Sequence, residues 1–489
     1  MSFHIAVDIG ASSGRLILGH YSDRNNIEFK EIHRFNNEFK FEDGFERWNV
    51  TSLISEILIG LQIAKKMGVE HCSVGVDTWA VDYVLVGEDG NLLAEPISYR
   101  DNRTNNAINE VTALIKAESI YQKTGIQFLN FNTIYQLFVE DKELLCKTKK
   151  ILMIPDYITY VLTGLSVGEV TNVSSSQLLN LKTGDFDSDL LKIIDIPRDK
   201  FPKLVKSGTI IGTLKDSIGN IGFPKCTFIA VATHDTGSAV VGVPVISNKD
   251  NWAFLSSGTW SLIGTENDHA INNELAFKSN YSNEWGAYDT YRFLKNITGM
   301  WCVQEIARIL DYKYSYEEMA NLASQEEPFQ QYIDLNDQRF SNPQNMIEEI
   351  QKYCMETNQV VPETVGELTM AVYSNLALMY GYELNRIESL TGKTIDILHI
   401  VGGGSNIKLL NQLTADVAQR KVITGPGEGT AIGNILVQMI SLEIFESMSN
   451  ARKFLYSQID VEIYEPLREY SDINLKRFTK ILTNKGVKG

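Results

Sequence analysis

Val7-Asp8-Ile9-Gly10-Ala11-Ser12-Ser13-Gly14-Arg15 is a run of small residues set between two apolar runs. Residues 4–9 read as a strand and residues 15–20 as its return, which makes the small residues the turn between them. Gly10 and Gly14 are expected to free the backbone for positive φ, and no large side chain obstructs a ligand. Successive N–H groups in such a turn can converge on phosphate oxygens. Asp8, at the strand end, is placed to hold Mg²⁺ through water. An ordinary glycine-rich hairpin uses the same residues, so the turn alone leaves both readings open.

The turn is not a Walker A loop, because no Gly-Lys-Ser/Thr follows it. It is not a dinucleotide fingerprint either, since G-x-G-x-x-G is absent and a strand follows where a helix would be needed. A hairpin phosphate loop preceded by Asp points to an α/β, two-domain, actin-like ATPase architecture. Such a protein has two similar halves gripping ATP and requires a second loop. Residues 252–255, Ser256-Ser257-Gly258-Thr259 and residues 260–264 repeat the strand–turn–strand pattern. Between the two units, Gly242-Val243-Pro244 followed by Ser247-Asn248-Lys249-Asp250-Asn251 reads as a break. The expected division is 1–243, 244–455 and a tail, 456–489, packing back on the first domain. The two loops share no register that would prove a duplication. A further strand, 395–401, leads into Gly402-Gly403-Gly404 and a helix carrying Leu409, Leu410, Leu413 and Val417 on one face. Glycines there either bring backbone N–H groups to a ligand or allow tight helix packing.

The chain of 489 residues is long enough for two or three domains, and its 22% charged content is that of an ordinary globular protein. A net charge of −16 argues against a nucleic-acid partner, whose phosphates it would repel. It does not exclude ATP, which a local cluster of backbone donors and Mg²⁺ can hold. Cys72, Cys146, Cys226, Cys302 and Cys354 are scattered with no C-x-x-C pair, which fits reduced thiols and no zinc site. No basic region with an apolar signal core opens the chain, and no apolar stretch would span a bilayer. The expectation is a cytoplasmic protein without a membrane partner; the oligomeric state is not legible.

Thr233-His234-Asp235-Thr236-Gly237-Ser238 lies where an apolar strand ends and a helix begins. Asp235 reads equally as the cap of that helix or as a base taking a proton from a substrate hydroxyl. In phosphoryl transfer the hydroxyl proton leaves late, so a well-placed carboxylate suffices. His234 reads as packing or as a donor to a sugar hydroxyl. Asp77-Thr78-Trp79-Ala80-Val81-Asp82 follows another strand end with polar groups and an aromatic face, the equipment of a polyol site. Trp79 by itself reads as core, Tyr99-Arg100-Asp101-Asn102-Arg103 as a solvated loop with internal ion pairs, and Asn296 as a surface turn.

Taken in order, these blocks resemble the FGGY family of carbohydrate kinases. The matching residues are the Asp8 to Arg15 loop, His234-Asp235-Thr236, Ser257-Gly258-Thr259 and Gly402-Gly403-Gly404. The resemblance runs through nearly the whole chain. Within the family, Phe35-Asn36-Asn37, Asp77 to Asp82 and Phe128-Leu129-Asn130-Phe131-Asn132 are similar to members acting on L-rhamnulose. It implies a ribonuclease H-like fold in two domains, with ATP and sugar in the interdomain cleft. It implies phosphorylation of L-rhamnulose at its 1-hydroxyl by Mg-ATP, with Asp235 as base. Ala11, Ser12, Ser13, Gly14 and Arg15, with Thr259, Gln304 and Gly402, would contact ATP. Ala80, His234, Thr236 and Asn296 would hold the sugar. The family pattern has Gly where this chain has Ala80, and the added methyl narrows the site. The alternatives are a kinase of L-fuculose or of a pentulose, or an actin-like ATPase switch acting on a protein.

Overall fold

The computed structural model describes residues 2–22, 26–219, 221–245 and 251–484. Two compact units make up the chain. The first comprises Met1–Ile246, Glu266–Phe293 and Gly429–Gln458, and the second Ser247–Thr265, Leu294–Glu428 and Ile459–Gly489. The first unit therefore gathers two segments that lie beyond the expected division at 243, and the tail groups with the second unit instead of the first. The reason for the tail's place is visible in its helix, Ser471–Asn484. Phe478 is fully buried, and the Tyr332 hydroxyl donates to Asn474 at 2.7 Å. Of the expected break, residues 246–250 lie outside the described residues.

The sheet of the first unit is built from β1 (Ser2–Ile9), β2 (Ser13–Ser22), β3 (Asn26–Asn36), β4 (His71–Thr78), β5 (Thr209–Thr213) and β6 (Lys225–Ala230). Their order is β5–β6–β4–β1–β2–β3. β1, β2 and β3 run antiparallel, while β1, β4 and β6 run parallel. Ile5, Ala6, Val7 and Ile9 are all buried, as expected of a strand covered on both faces. The helix Val50–Lys66 begins where Asn49 accepts a hydrogen bond from the Ser52 N–H at 3.0 Å. Its buried stripe, Leu53, Ile57, Leu61 and Ala64, has helical spacing. The glycines of the opening turn act differently from the expectation. Neither Gly10 nor Gly14 has positive φ. Gly14 is needed for close approach, since a Cβ there would stand 2.3 Å from the Phe35 ring.

A helix from far along the chain, Gly429–Ser441, lies against β1 and β4. It also meets the short helix Asp235–Val241 backbone to backbone. A Cβ on Gly433 would fall 1.8 Å from the Ser238 carbonyl oxygen, and one on Gly242 would fall 2.3 Å from that of Gly429. Polar side chains complete the seat. Gln438 donates to the Ile5 carbonyl at 3.0 Å and accepts from Ser73 at 2.6 Å, and Asn434 donates to Asp77 at 2.5 Å.

In the other sheet, β7 (Trp252–Ser257), β8 (Trp260–Asn267), β9 (Tyr291–Thr298), β10 (Ile397–Val401), β11 (Lys421–Thr424) and β12 (Glu462–Tyr464) follow the order β9–β8–β7–β10–β11–β12, with the strand Ser282–Trp285 beyond β9. β7 and β8 form an antiparallel hairpin, and β7, β10 and β11 run parallel. Hairpin, third strand on one side and parallel strands on the other repeat the first sheet, the ribonuclease H-like layout twice over. The long helix Val365–Thr391 is bounded by a capping box, Thr364 with Glu367, and by Gly392 at φ +70°. Among the described residues no helix is long and apolar enough to cross a membrane.

The glycine crossing has a measurable consequence. Gly433→Ala sets a methyl against backbone that cannot rotate away, and overpacking of this kind costs about 1–3 kcal/mol or more. Thermal denaturation is expected to show a clear fall in Tm. A neutral Gly433→Ala, beside a neutral substitution at an exposed helical position, contradicts the backbone contact.

Candidate active site

β1, β4 and β6 are parallel neighbours, so their carboxyl ends lie side by side, where ligands of open α/β sheets bind. Asp8 sits near the end of β1, and its register partner on β4 is Asp77. Beyond β6 the chain pairs again, with the Thr78 N–H donating to Thr233 O at 2.9 Å, and then turns into the helix that starts at Asp235. Three carboxylates from distant parts of the sequence thus share one edge.

Each is held differently. Asp8 Oδ2 accepts from Arg15 Nε at 3.0 Å and Nη2 at 2.8 Å, which closes the hairpin turn with an ion pair. Asn37, buried, ties the same turn by donating its side-chain amide to Gly10 O at 2.8 Å and its N–H to Ser12 O at 3.1 Å. The resemblance singles out Asn37, but nothing in the local sequence shows this tie, because it exists only once β3 returns beside β2. Asp77 is fully buried; its Oδ2 accepts from Asn434 and its Oδ1 has no hydrogen-bond partner among the described residues. Burial, then the charge of Asp8, pushes its pKa well above the usual carboxylate range, against the opposing bond from Asn434.

Asp235 is the first residue of its helix, and His234 occupies the cap position without a capping hydrogen bond. The Asp235 side chain does not cap the helix in the usual manner. Its Oδ1 accepts from the N–H of the next residue, Thr236, at 2.6 Å, with Thr236 Oγ1 at 3.3 Å and His234 Nε2 at 3.3 Å. Oδ2 has no protein partner among the described residues. Burial raises the Asp235 pKa, His234 opposes the rise, and the charge of Asp8 adds to it.

Around His234 are two groups that the sequence does not announce. Glu284, on the strand Ser282–Trp285, and the fully buried Arg292, on β9, both belong to the segment that groups with the first unit. Arg292 Nη2 stands 3.1 Å from His234 Nδ1 and 3.1 Å from Glu284 Oε2. They lie 50 residues or more from His234, with no motif of their own, so only the folded chain brings them there.

Ala80 is half-buried in the turn after β4, next to Val81, a β-branched residue held at φ +68°. The turn is pinned from several sides. Val81 O accepts from Thr133 Oγ1 at 2.6 Å, and the Val81 N–H donates to Ser175 Oγ at 3.3 Å. Asp82 accepts from Trp48 Nε1 at 2.6 Å, Trp79 Nε1 at 2.9 Å, Tyr99 N at 3.2 Å and Gln136 Nε2 at 2.9 Å. Its oxygens are saturated, so Asp82 organises the turn and is no candidate base. Trp79 is buried core, its indole N–H spent on Asp82. The charged loop near residue 100 is less solvated than expected, because Arg103 turns inward to Glu140 at 3.0 Å and Gln136 at 3.2 Å.

The remaining residues belong to the second unit. Thr259 closes the turn between β7 and β8 and is half-buried. Its carbonyl accepts from the Gly299 and Trp301 N–H groups at 3.2 Å each, while Gly258 O accepts from the Met300 N–H at 2.9 Å. Gln304 is half-buried on the helix Trp301–Ile309 that begins there, and Asn296 is half-buried on β9, a strand instead of the expected surface turn. Gly402, at φ +83°, ends β10 against the same turn: a Cβ would meet Ser257 O at 2.8 Å. A 3₁₀ turn, Gly403–Asn406, separates it from the helix Lys408–Ala418. Gly404 carries the contact further, with space for no Cβ beside Ser257 Oγ.

Comparison with known proteins gives the same assignment along the whole chain. Profiles of the FGGY family of carbohydrate kinases match residues 3–242 with the N-terminal domain and residues 253–442 with the C-terminal domain. The rhamnulokinase of Lactiplantibacillus plantarum is 53% identical over 487 residues, covering 99% of both chains. That of Ligilactobacillus salivarius is 55% identical, covering 95% of this chain and 96% of its own. That of Bacillus subtilis is 48% identical and covers 95% of each. Among solved structures, a ligand-bound xylulose kinase from Lactobacillus acidophilus superposes with TM-score 0.81 at 16% identity, covering 100% of this chain and 97% of its own. Plasmodium falciparum glycerol kinase with ADP gives 0.78 at 15% identity, covering 100% and 98%. At such identities the structures show the shared fold.

The buried Asp77 generates a stability prediction. A carboxyl whose folded pKa is raised costs stability where the folded protein must ionise it, so the cost grows as pH rises above the ordinary carboxylate value. Asp77→Asn keeps an acceptor for Asn434 and removes the titration. It is expected to raise Tm at pH 8, on the order of 1 kcal/mol of stability, with the gain shrinking toward pH 4. A lower Tm at pH 8, or a pH-independent difference, contradicts the assignment.

Proposed function

Because the chain belongs to the FGGY family of carbohydrate kinases, we propose that it transfers the γ-phosphoryl group of ATP to the 1-hydroxyl of L-rhamnulose. The products are L-rhamnulose 1-phosphate and ADP, and the step belongs to L-rhamnose breakdown in the cytoplasm. The observation that carries this reading is the full-length likeness to relatives named rhamnulokinase, at about half of all positions.

Asp235 is the base. Its Oδ1 is engaged by Thr236, and Oδ2 is left to take the proton of the 1-hydroxyl as the phosphoryl group arrives. A raised pKa makes the carboxylate a better proton acceptor and moves the acid limb of its activity upward. His234, Thr236, Ala80 and Asn296 hold the sugar. Ala11 to Arg15, with Thr259, Gln304 and Gly402, hold ATP, the glycines admitting phosphate close to backbone.

The residues at the carboxyl edge fit Mg²⁺ carried by phosphates and water better than a protein cage. Among the described residues no group of three His, Cys, Asp or Glu stands together to bind a metal, while Asp8 offers one carboxylate, paired with Arg15, at the turn. Asp8 would meet the ion through water, and Mg²⁺ would supply charge neutralisation on the transferring phosphates.

Three measurements test the reading. ADP release across ketohexoses and ketopentoses, with the product's position read by NMR, is expected to give the highest kcat/KM for L-rhamnulose and phosphate on C1. A preference for L-fuculose or a pentulose, or phosphate elsewhere, overturns it. Asp235→Asn is expected to fold and bind ATP while single-turnover transfer slows at least ~10²-fold. Near-normal turnover removes Asp235 as the base. The acid limb of kcat/KM is expected above the usual carboxylate range, with activity lost as pH falls through it.

A further inference from the structure

Histidine tautomers are set by what the second ring nitrogen meets. His234 Nδ1 has two neighbours at equal distance, Arg292 Nη2 at 3.1 Å and Glu284 Oε2 at 3.1 Å. A guanidinium can only donate. The Arg292 N–H is aimed at Nδ1 in hydrogen-bond geometry, whereas Glu284 Oε2 makes no hydrogen bond of that quality. Two N–H groups cannot point at one another, so the Arg292 contact calls for Nδ1 as the accepting nitrogen. The ring proton then sits on Nε2, which is 3.3 Å from Asp235 Oδ1.

The surroundings keep this arrangement in place. Arg292 Nε and Nη2 both reach Trp285 O, at 3.4 and 3.2 Å, which locks the guanidinium plane. Its charge is balanced at 3.1 Å by Glu284. Burial pushes the Glu284 pKa up, but the charge of Arg292 opposes it, and the carboxyl stays below its usual range. Glu169, Asp235 and Glu266 also act on Arg292. Glu169 is occupied elsewhere, accepting from Thr171 Oγ1 at 2.5 Å, Ser207 Oγ at 2.7 Å and Thr233 N at 3.1 Å.

We infer that Arg292 is a positioning residue that fixes His234 as the Nε2–H tautomer and thereby selects which oxygen of Asp235 acts as the base. With the Thr236 N–H on Oδ1 at 2.6 Å and His234 Nε2 3.3 Å from the same oxygen, Oδ2 is the oxygen left open to the substrate hydroxyl. Without Arg292, Glu284 is the nearest acceptor for Nδ1 and draws the ring proton to that side. A bare Nε2 would then face the Asp235 carboxylate, lone pair against lone pair. The catalytic consequence rests on the sugar-kinase reading; the tautomer itself is a property of the resting protein.

The test separates the two. Long-range ¹H–¹⁵N NMR on the ¹⁵N-histidine-labelled full chain, with His234 assigned by its loss in His234→Asn, reads the ring nitrogens without any substrate. A bare Nδ1 and a protonated Nε2 are expected, and a protonated Nδ1 overturns the inference. Arg292→Met is expected to move the proton to Nδ1 and lower kcat about 10- to 100-fold, with KM for ATP unchanged. Arg292→Lys keeps a donor and is expected to restore the wild-type ring signature and part of kcat. Should Glu284 left unpaired unfold Arg292→Met, the double variant Arg292→Met/Glu284→Gln removes both charges and is expected to lose the single-tautomer signature. An unchanged ring signature in either Met variant overturns the inference, whatever sugar the enzyme accepts. If the ring signature behaves as expected but L-rhamnulose is not phosphorylated, only the substrate reading fails.

Discussion

The constraint on which the first unit depends is the absence of any Cβ where the Gly429–Ser441 helix crosses the Asp235–Val241 helix. Backbone meets backbone there, with Ser238 O where a Cβ of Gly433 would be. Close packing of this kind has no slack, because interiors are dense and main chain cannot rotate out of the way. The crossing fixes where the Asp235 helix begins. From the same helix, Asn434, next to Gly433, and Gln438, one turn on, reach β4 and β1 and bond to Asp77, Ser73 and the Ile5 carbonyl. One helix therefore sets the place of two of the three carboxylates on the sheet edge.

Gathering Asp8, Asp77 and Asp235 on that edge is unfavourable in itself. Like charges in a poorly solvated place raise each other's pKa. The chain offsets this unevenly, with Arg15 on Asp8, an amide on Asp77 and the Thr236 N–H on Asp235. Among the described residues Asp77 and Asp235 both join a raised proton affinity to an oxygen that no protein donor occupies, but Asp77 is fully buried while the Asp235 side chain is partly exposed. Asp82, four residues beyond β4, shows the opposite design, since four donors saturate it and its work is to hold Trp48, Trp79 and the backbone around Ala80.

The second unit solves a different problem with the same sheet layout. Its two small-residue loops, at Ser257 to Thr259 and at Gly402 to Gly404, end adjacent parallel strands and fit only because glycines face Ser257. Gly402 is needed twice over, for its positive φ and for its approach to the Ser257 carbonyl.

Much of this is written in local sequence. The apolar alternation of β1, β2, β7, β8 and β10, the small residues in their turns and the Gly402-Gly403-Gly404 run are period and turn signals that short range suffices to read. They gave the strands, the two loops and the family resemblance, and Asp235 stood out because a strand end and a helix start mark it. The same signals misjudged Gly10 and Gly14, whose φ is not positive, because what Gly14 serves is a Phe35 ring brought by a third strand. Glu284, Arg292 and Asn434 have no local mark at all, since each acts across tens to hundreds of residues. The sequence by itself determined which elements form and which residues are the candidates for chemistry, through propensity and pattern along the chain. Only the tertiary structure decided how those residues are tuned, because a pKa, a histidine tautomer and a free carboxylate oxygen depend on neighbours that distance in space, not in sequence, selects.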